Sequence, residues 1–431
     1  MLAKIRSEGK IALAVASSGI AAELLEGGRT AHSRFKIPIP ILPTSTCNIS
    51  RQSELAKLLT QTSIIIWDEA PMLHRFVYEC VHRTLCDLLK NDKHFGGKVV
   101  LLGGDFRQVL PVIRHASQAE IIESNLQRSF LWAYVKHVHL TINMRVKTSQ
   151  NRESAEANKA FERYLLSIGN GSEEIHSDIG FAKIKLPQEI CIQPDDRGID
   201  NLIDTVFPDL NNAGFTEQMY MRAILTCRNE NVDNINNKVM TRFNSGESKV
   251  YLSADAVGDP SQANLYPTEF LNTLTPSGLP PHKLYLKYNA PIILLRNLNP
   301  REGLLNGTRL RVLNLGDRVM EAQIMIGRNK GKRVFIPRIT LTPSDSGLPF
   351  DLKRRQFPVK PAFAMSINKS QGQTLDFVGL DLSRDVFTHG QLYVAISRVR
   401  SFHSISVLPD PSSSDGQNFF TDNIVYREVL A

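Results

Sequence analysis

The stretch IIIWDE, residues 64–69, decides the fold of this chain, because an apolar run stops abruptly at two carboxylates. A short β-branched run that ends in this way predicts a buried β-strand with charge at its carboxyl end. Residues 11–16 (IALAVA) stop in the same manner at SSG, and residues 99–102 (VVLL) stop at GGD. Three runs with one layout predict strands of one sheet.

Helical patterns separate these strands. Residues 20–25 form one, and residues 77–89 form another, with apolar side chains at 77, 81, 85, 88 and 89. Alternating strands and helices predict a parallel sheet with helices on both faces. Ligands of such sheets bind beyond the carboxyl ends of the strands, where all three polar clusters fall.

A second alternating region starts near residues 138–140 and returns at residues 362–367 and 377–382. Between its halves, short β-rich runs are separated by Gly, Asn and Pro. This pattern predicts a small antiparallel barrel inserted into a second α/β domain. The runs are 284–286, 291–295, 308–313, 321–326 and 333–336.

The composition of the 431 residues, 42% apolar and 22% charged, is typical of a globular protein with two or three domains. No apolar run approaches the roughly 18 residues of a membrane span, so we expect a soluble protein without a membrane partner. The five cysteines form no CxxC pair, which suits a reducing compartment. Cys80, His82 and Cys86 are close in sequence, but positions 80 and 82 of a helix face different ways, which favours packing over a metal site.

The net charge of +8 is concentrated in one segment. Residues 296–360 contain 14 Lys and Arg against 5 Asp and Glu. A basic surplus of this kind indicates a polyanionic partner.

The carboxylates Asp68 and Glu69 follow a strand at a sheet edge, where one can hold hydrated magnesium and the other can polarise an attacking water. An isolated pair would more often be an acidic helix start. Residues 104–108 (GDFRQ) end the next strand and bring the amide of Gln108 to the same edge. Two such endings on successive strands favour a phosphate-handling site.

Two arginines are candidates for contact with a transferring phosphate, because guanidinium geometry suits the charge that develops on its oxygens. Arg145 follows a predicted strand in NMR, and Arg398 lies in AISRVR. For a single arginine, a surface salt bridge would be the ordinary interpretation.

Together these residues resemble the Pif-type DNA helicases of superfamily one, which are relatives of the RecD-like helicases. The resemblance covers nearly the whole chain, in the family's motif order. Residues 17–22 (SSGIAA) with 30–33 (TAHS) resemble motif Ia, 67–72 (WDEAPM) motif II, 103–111 (GGDFRQVLP) motif III, 366–374 (SINKSQGQT) motif V and 393–398 (YVAISR) motif VI. Residues 290–292 through 306–308 further resemble helicases carried by rolling-circle transposons, the Helitrons.

The resemblance implies an α/β fold with two RecA-like parallel-sheet domains and a small SH3-like β-barrel inserted in the second, with the first domain lacking its P-loop strand. We therefore predict a first RecA-like domain over residues 1–137. The second would comprise residues 138–282 and 359–431, with the barrel over 283–358.

The resemblance also implies site residues. Asp68 would hold magnesium, Glu69 would activate water, Gln108 would sense the γ-phosphate, and Arg145 and Arg398 would be arginine fingers that face these groups across an interdomain groove. Asp105, Gln371 and Gly372 would contact the nucleotide. The implied DNA contacts are Ser17, Ser18, Gly19, His32, Asn368, Lys369 and Ser370.

By the same resemblance, the chain would be an ATP-dependent DNA helicase that uses ATP and Mg²⁺ and moves 5′ to 3′. Its partner would be DNA, mainly single strands or junctions of single strand and duplex, and no obligate protein partner is inferred. The processes implied are DNA repair, recombination and telomere maintenance. We expect an intracellular protein, nuclear rather than mitochondrial.

The sequence departs from the family at one motif, since no GxxxxGK[ST] occurs in it. Such a loop supplies the backbone amides and the lysine that surround the β- and γ-phosphates. One hypothesis is that the true start of the protein lies upstream of residue 1, so that the full product includes the loop and hydrolyses ATP. A second is that the chain is a remnant that at most binds DNA. A third, an unrelated nucleotide enzyme such as a kinase, does not explain both arginine motifs.

Overall fold

The computed structural model describes residues 1–142, 152–208, 210, 217–343, 347–414, 416 and 418–430. The chain forms two compact units. Unit 1 comprises Met1–Gly198 and Ser370–Ala431, and unit 2 comprises Ile199–Lys369. The four-part division made from the sequence stays a prediction. Among the described residues, no helix has the length and apolar character needed to cross a membrane.

The first part of unit 1 alternates short helices and strands. Its helices are α1 (Leu2–Ser7), α2 (Gly19–Leu24), α3 (Ala31–Phe35), α4 (Glu54–Gln61), α5 (Arg75–Leu89), α6 (Gln118–Ser124) and α7 (Arg152–Asn170). Its strands are β1 (Ile11–Ala16), β2 (Arg29–Thr30), β3 (Thr62–Asp68), β4 (Val99–Leu102) and β5 (Lys183–Leu186).

Strands β1 to β4 form one sheet in the order β2-β1-β3-β4, and each neighbouring pair is parallel. The predicted parallel sheet is therefore confirmed. Trp67 anchors its core, with the rings of Phe35 and Tyr78 at centroid distances of 5.5 and 4.6 Å. The carboxyl ends of β1, β3 and β4 meet at one edge, because the Ser17 N–H donates to the Asp68 carbonyl at 3.1 Å and the Gly103 N–H to the Trp67 carbonyl at 2.8 Å.

Strand β4 is an edge strand, and within the described ranges it pairs with β3 alone. Its side chains Val100 and Leu102 pack against the core. On the opposite face, Val99 is 60% exposed and Leu101 is 41% exposed. Parallel sheets normally have both faces covered, so this combination of an open edge and an apolar face is unusual.

Unit 2 is mostly antiparallel β-structure. Its helices are α8 (Gly198–Val206), which begins at the unit boundary, α9 (Asn229–Arg242) and α10 (Thr268–Thr273). Its strands are β6 (Arg222–Thr226), β7 (Ser248–Leu252), β8 (Ala254–Val257), β9 (Lys283–Lys287), β10 (Pro291–Leu294), β11 (Arg309–Asn314), β12 (Val319–Ile324), β13 (Arg333–Pro337), β14 (Ile339–Leu341), β15 (Leu352–Gln356), β16 (Val359–Pro361) and β17 (Ala364–Ser366).

The five β-rich runs predicted between residues 284 and 336 are all strands, β9 to β13. Strands β10 to β13 join β16 in an antiparallel sheet of order β13-β12-β11-β10-β16, and β9 pairs with β7. In the sequence, this antiparallel part is inserted between β6 and β17, and these two strands pair with each other in parallel. The inserted β-rich region is thus present, and its closure into an SH3-like barrel stays a prediction.

The last part of unit 1 contains β18 (Phe377–Asp381), α11 (Gln391–Ile396), β19 (Ile405–Leu408) and β20 (Phe419–Asp422). Strands β18 and β19 are parallel, while β20 pairs antiparallel with β5. The carboxyl-terminal part of the chain therefore completes the same unit that holds β1 to β4.

The segment 138–140, with which the second alternating region was expected to start, forms no strand. Val138 is 79% exposed and Leu140 is 97% exposed. An apolar segment that has no neighbouring strand to pair with is not stabilised in an extended conformation, whatever its composition.

Candidate active site

The two carboxylates of the sheet edge adopt different backbone conformations. Asp68 is the last residue of β3, and its Oδ1 accepts the Glu69 N–H at 3.0 Å. Glu69 has φ 52° and ψ 42°, the left-handed region that residues other than glycine seldom occupy. Strain of this kind is concentrated at functional sites, where it fixes the direction of a side chain.

The turn that follows Ser370 packs directly over Glu69. Gly372 has φ +80°, and a Cβ atom at this position would lie 3.9 Å from Glu69 Oε1 and 3.7 Å from the Cβ of Ala21. Residues of the predicted motifs Ia, II and V therefore meet within unit 1.

Burial raises the pKa of the Glu69 carboxyl, and the charge of Asp68 raises it further. The guanidinium of Arg398 acts in the opposite direction, Asp105 adds to the rise, and the nearby amide of Gln371 lowers the pKa again. A carboxylate whose pKa is moved toward neutrality is suited to accept a proton from water.

The loop after β4 is held by the side chain of Asp105. Its Oδ1 accepts the Arg107 N–H at 3.0 Å, and its Oδ2 accepts the hydroxyl of Tyr393 at 2.7 Å. The Gln108 N–H donates to the Asp105 carbonyl at 3.1 Å. The Oε1 atom of Gln108 is buried and has no hydrogen-bond partner among the described residues. An oxygen in this state indicates a site built for a group that the chain itself does not supply.

Arg398 is 6% exposed, and its guanidinium is held by main-chain acceptors of the neighbouring turn. Its Nε donates to the Val394 carbonyl at 2.8 Å, and one terminal nitrogen donates to the carbonyls of Gln373 at 3.0 Å and Ser370 at 3.4 Å. The arginine thus joins α11 to the turn that covers Glu69.

His389, which is fully buried, ties the loop after β4 to the carboxyl-terminal segment. Its Nδ1 accepts the Tyr426 N–H at 2.8 Å, so that Nε2 carries the proton and donates to the Phe106 carbonyl at 2.8 Å. Burial lowers the pKa of this imidazole, which keeps it neutral. At the next residue, Gly390, a Cβ atom would lie 2.3 Å from the Arg107 carbonyl, so only glycine permits this approach.

The predicted DNA contacts of the first motif lie beside the carboxylates. The hydroxyl of Ser18 caps α2 by accepting the Ala21 N–H at 3.2 Å, and Gly19 is the first residue of that helix. Ser17 contacts the Asp68 carbonyl, as described above. His32 is in α3, and burial lowers its pKa.

The remaining predicted residues are distributed over the two units. Ser370 is fully buried in unit 1, while Asn368 and Lys369 belong to unit 2. Arg145 lies outside the described residues. Unit 1 alone therefore contains Asp68, Glu69, Asp105, Gln108, Gln371, Gly372 and Arg398. The interdomain groove and the functional roles assigned to these residues stay predictions.

Sequence reasoning missed the part played by Tyr393 and His389. Tyr393 stood inside a recognised motif, but the partner of its hydroxyl is 288 positions away. Nothing in the sequence marks His389, since a buried bridging histidine has no local pattern.

The residues present fit the cation side of a magnesium nucleotide better than its phosphate side. The charges of Asp68 and Asp105 both act to raise the pKa of Glu69, and a divalent cation held here would relieve this repulsion. The unpaired Oε1 of Gln108 could accept a hydrogen bond from a water or from a phosphate hydroxyl at the same edge of the sheet. The loop that would surround the other phosphates is not in the sequence.

Comparison with known proteins gives a consistent result. Residues 1–178 match the family described as PIF1-like helicase, and residues 269–315 match the 2B domain of the DNA helicase Pif1. The ATP-dependent DNA helicase Pif1 of Psychrobacter sp. (strain PRwf-1) is 25% identical over 442 residues, covering 91% of this chain and 60% of that protein. PIF1 of Xenopus laevis is 26% identical and covers 93% of this chain and 55% of that protein. The chain thus spans little more than half the length of these relatives.

Solved structures agree with the fold. A structure of two coordinating Pif1 helicases at forked double-stranded DNA has a TM-score of 0.63 at 25% identity, covering 94% of this chain and 83% of that one. Bacteroides Pif1 bound to single-stranded DNA has a TM-score of 0.64 at 24% identity, covering 94% of this chain and 84% of that one. The α/β fold with RecA-like parallel sheets is confirmed by these likenesses. The chain is therefore similar to PIF1-like helicases over residues 1–178 and to the 2B domain of the DNA helicase Pif1 over residues 269–315.

Proposed function

We propose that this chain is the core of an ATP-dependent DNA helicase, and that its unit 1 holds most of the nucleotide site. One observation carries the proposal: Glu69, in a strained conformation, is surrounded by Asp68, Asp105, Gln371 and Arg398. Acidic groups that hold a cation, an amide and a guanidinium are the parts that phosphoryl transfer requires.

Each residue has a distinct part in this proposal. Bound Mg²⁺ neutralises charge on the phosphates, and Asp68 is the ligand that would hold it. Glu69 accepts the proton of the attacking water, and Gln108 orients that water through its unpaired Oε1 or contacts the γ-phosphate through its amide N–H. Arg398, and in the same proposal Arg145, would stabilise the charge that develops in the transition state.

DNA is the proposed partner, as single strands or as junctions between single strand and duplex. The basic surplus of residues 296–360 would contact phosphates, which position a strand without reading its sequence. Movement in the 5′ to 3′ direction, a role in repair, recombination or telomere maintenance, and origin in the rolling-circle transposon subfamily belong to the same proposal. They are supported only by the motif resemblance.

We expect the 431-residue chain to bind single-stranded oligonucleotides with an affinity that falls steeply as salt rises. Each neutralised phosphate releases counterions and contributes a slope of roughly −0.7 in a plot of log affinity against log salt. Fluorescence anisotropy between low and moderate salt measures this slope. The double substitution Lys353→Ala and Arg355→Ala, at two exposed positions of β15, should make the slope shallower.

The matched control is Arg51→Ala, which removes an exposed arginine of unit 1 that already pairs with Asp87. This substitution should leave the slope unchanged. A folded chain whose affinity does not depend on salt, or that binds no DNA, would contradict the proposed interface.

The alternative function is a DNA-binding protein without turnover. It is favoured by the lack of a GxxxxGK[ST] loop in these 431 residues. We expect negligible steady-state ATP hydrolysis by the purified chain, with or without DNA, because the contacts that hold the β- and γ-phosphates are missing. DNA-stimulated turnover above background, measured by phosphate release, would show that this chain positions ATP in another way.

A further inference from the structure

We infer that Cys47 and Cys80 form an oxidation-sensitive dithiol, whose disulfide would attach the loop of residues 39–53 covalently to helix α5. The inference does not depend on the proposed helicase function. Its starting point is the position of the two sulfur atoms, which lie 3.6 Å apart. A disulfide requires about 2.05 Å, so the sulfurs would have to approach by only about 1.5 Å.

The loop of residues 39–53 is largely exposed, and Cys47 is its one buried residue. Main-chain atoms of the loop are held by side chains of α5. The Cys47 N–H donates to Thr84 Oγ1 at 2.9 Å, and the two Arg83 nitrogens donate to the Ser45 carbonyl at 3.1 and 2.8 Å. A salt bridge between Arg51 and Asp87 adds a further contact. These contacts hold the Cys47 side chain beside that of Cys80 on α5.

The dithiol is separate from the other nearby thiol. Cys86 lies on α5 six positions after Cys80, and its Sγ is 3.6 Å from His82 Nδ1. That nitrogen also accepts the Phe95 N–H at 3.0 Å. The trio of Cys80, His82 and Cys86 therefore does not converge on one point, and Cys47 is the partner that geometry gives to Cys80.

The chemistry requires a low-molecular-weight disulfide, such as glutathione disulfide, as oxidant. Opening of the loop exposes Cys47, whose thiolate attacks one sulfur of the oxidant, forms a mixed disulfide and releases one thiol. When the loop closes, the thiolate of Cys80 attacks the Cys47 sulfur and releases the second thiol. Two protein thiols are oxidised, the oxidant is reduced to two thiols, and the two protons remain with them. In the reduced chain, the hydrogen bond with Cys47 and then the charge of Arg83 lower the pKa of the Cys80 thiol. The charge of Arg83 is the influence that remains in the second step, because the Cys47 sulfur of the mixed disulfide carries no proton.

The bond would restrict the loop that continues from α3, the helix of His32. The loop contains a single site for trypsin, at Arg51. In the oxidised chain this site can no longer leave the surface of α5, so cleavage should slow, and we expect a decrease of roughly tenfold if local opening precedes cleavage.

The experiment treats the folded full-length chain with glutathione disulfide, blocks the remaining thiols with N-ethylmaleimide and maps peptides by mass spectrometry. We expect three blocked cysteines instead of five, with peptides containing Cys47 and Cys80 joined. Trypsin cleavage after Arg51 is then timed in oxidised and reduced samples. The control Cys191→Ser should retain the cross-link, and Cys47→Ser should lose both the cross-link and the protection of Arg51.

Three outcomes would overturn the inference. The first is blocking of both Cys47 and Cys80 by N-ethylmaleimide after exposure to glutathione disulfide. The second is a cross-link that joins Cys80 to Cys86, and the third is equal cleavage at Arg51 in the oxidised and reduced samples. Because the first measurement uses the unsubstituted chain, the inference remains testable even if a serine variant fails to fold.

Discussion

Replacing Arg398 by alanine should destabilise unit 1 and, in a version of the chain extended upstream by a GxxxxGK[ST] loop, reduce ATP turnover by roughly a thousandfold. The side chain is buried and donates to the carbonyls of Val394, Gln373 and Ser370. Its removal leaves these buried acceptors unsatisfied and opens a cavity, which together cost roughly 3 kcal/mol of unfolding free energy. Thermal melting and steady-state ATP hydrolysis measure the two effects.

The substitution Arg398→Lys distinguishes the contribution of the positive charge from that of the planar guanidinium group. An ammonium group keeps the positive charge but cannot reproduce the planar guanidinium that reaches several carbonyls at once, so we expect little recovery of either stability or turnover. Arg400→Ala is the matched control, because this arginine lies two positions away and is exposed. Wild-type melting of Arg398→Ala would exclude the structural role, and wild-type turnover in the extended chain would exclude the catalytic one.

Replacing Glu69 by glutamine should reduce turnover of the extended chain by roughly 10³-fold while nucleotide binding is retained, because the amide cannot accept the proton of water. In the 431-residue chain, the same substitution should raise the melting temperature. The pKa of Glu69 is raised in the folded state, so its neutral form is favoured there and the wild-type chain loses stability as pH rises above the unfolded value of about 4.5. The advantage of the glutamine variant should thus be small near pH 4 and grow toward pH 8.

The control for this pH dependence is Glu174→Gln, since Glu174 is exposed. Its melting temperature should follow that of the wild type at every pH. A constant difference between Glu69→Gln and the wild type from pH 4 to 8 would show that the carboxyl is not perturbed, and unchanged turnover would remove Glu69 from its role as base.

The sequence predicted those features of the fold that depend on local pattern. Strands β1, β3 and β4 were identifiable because an apolar run and a polar terminus are both short-range signals. The clustering of Asp68, Glu69 and Asp105 followed from a general property of parallel sheets, whose carboxyl ends share one edge.

Features that depend on long-range partners could not be predicted. The apolar residues Val138 and Leu140 resemble a strand, but pairing requires a neighbour that composition does not specify. The bridge from His389 to Phe106 and Tyr426 joins segments far apart in the chain.

The hydroxyl of Ser18, assigned to DNA by resemblance, also caps its own helix, a local function that the motif did not indicate.

The open edge of β4 has a consequence for the behaviour of the protein in solution. In the part of the chain that the structure describes, no strand pairs with its outer edge, and this edge with the exposed side chains of Val99 and Leu101 forms a template on which another chain can add a strand. Loss of monomer by this route is second order in protein, whereas unfolding is first order. Dilution therefore protects the chain, and cooling adds to this protection because the hydrophobic contribution to strand addition weakens as the temperature falls.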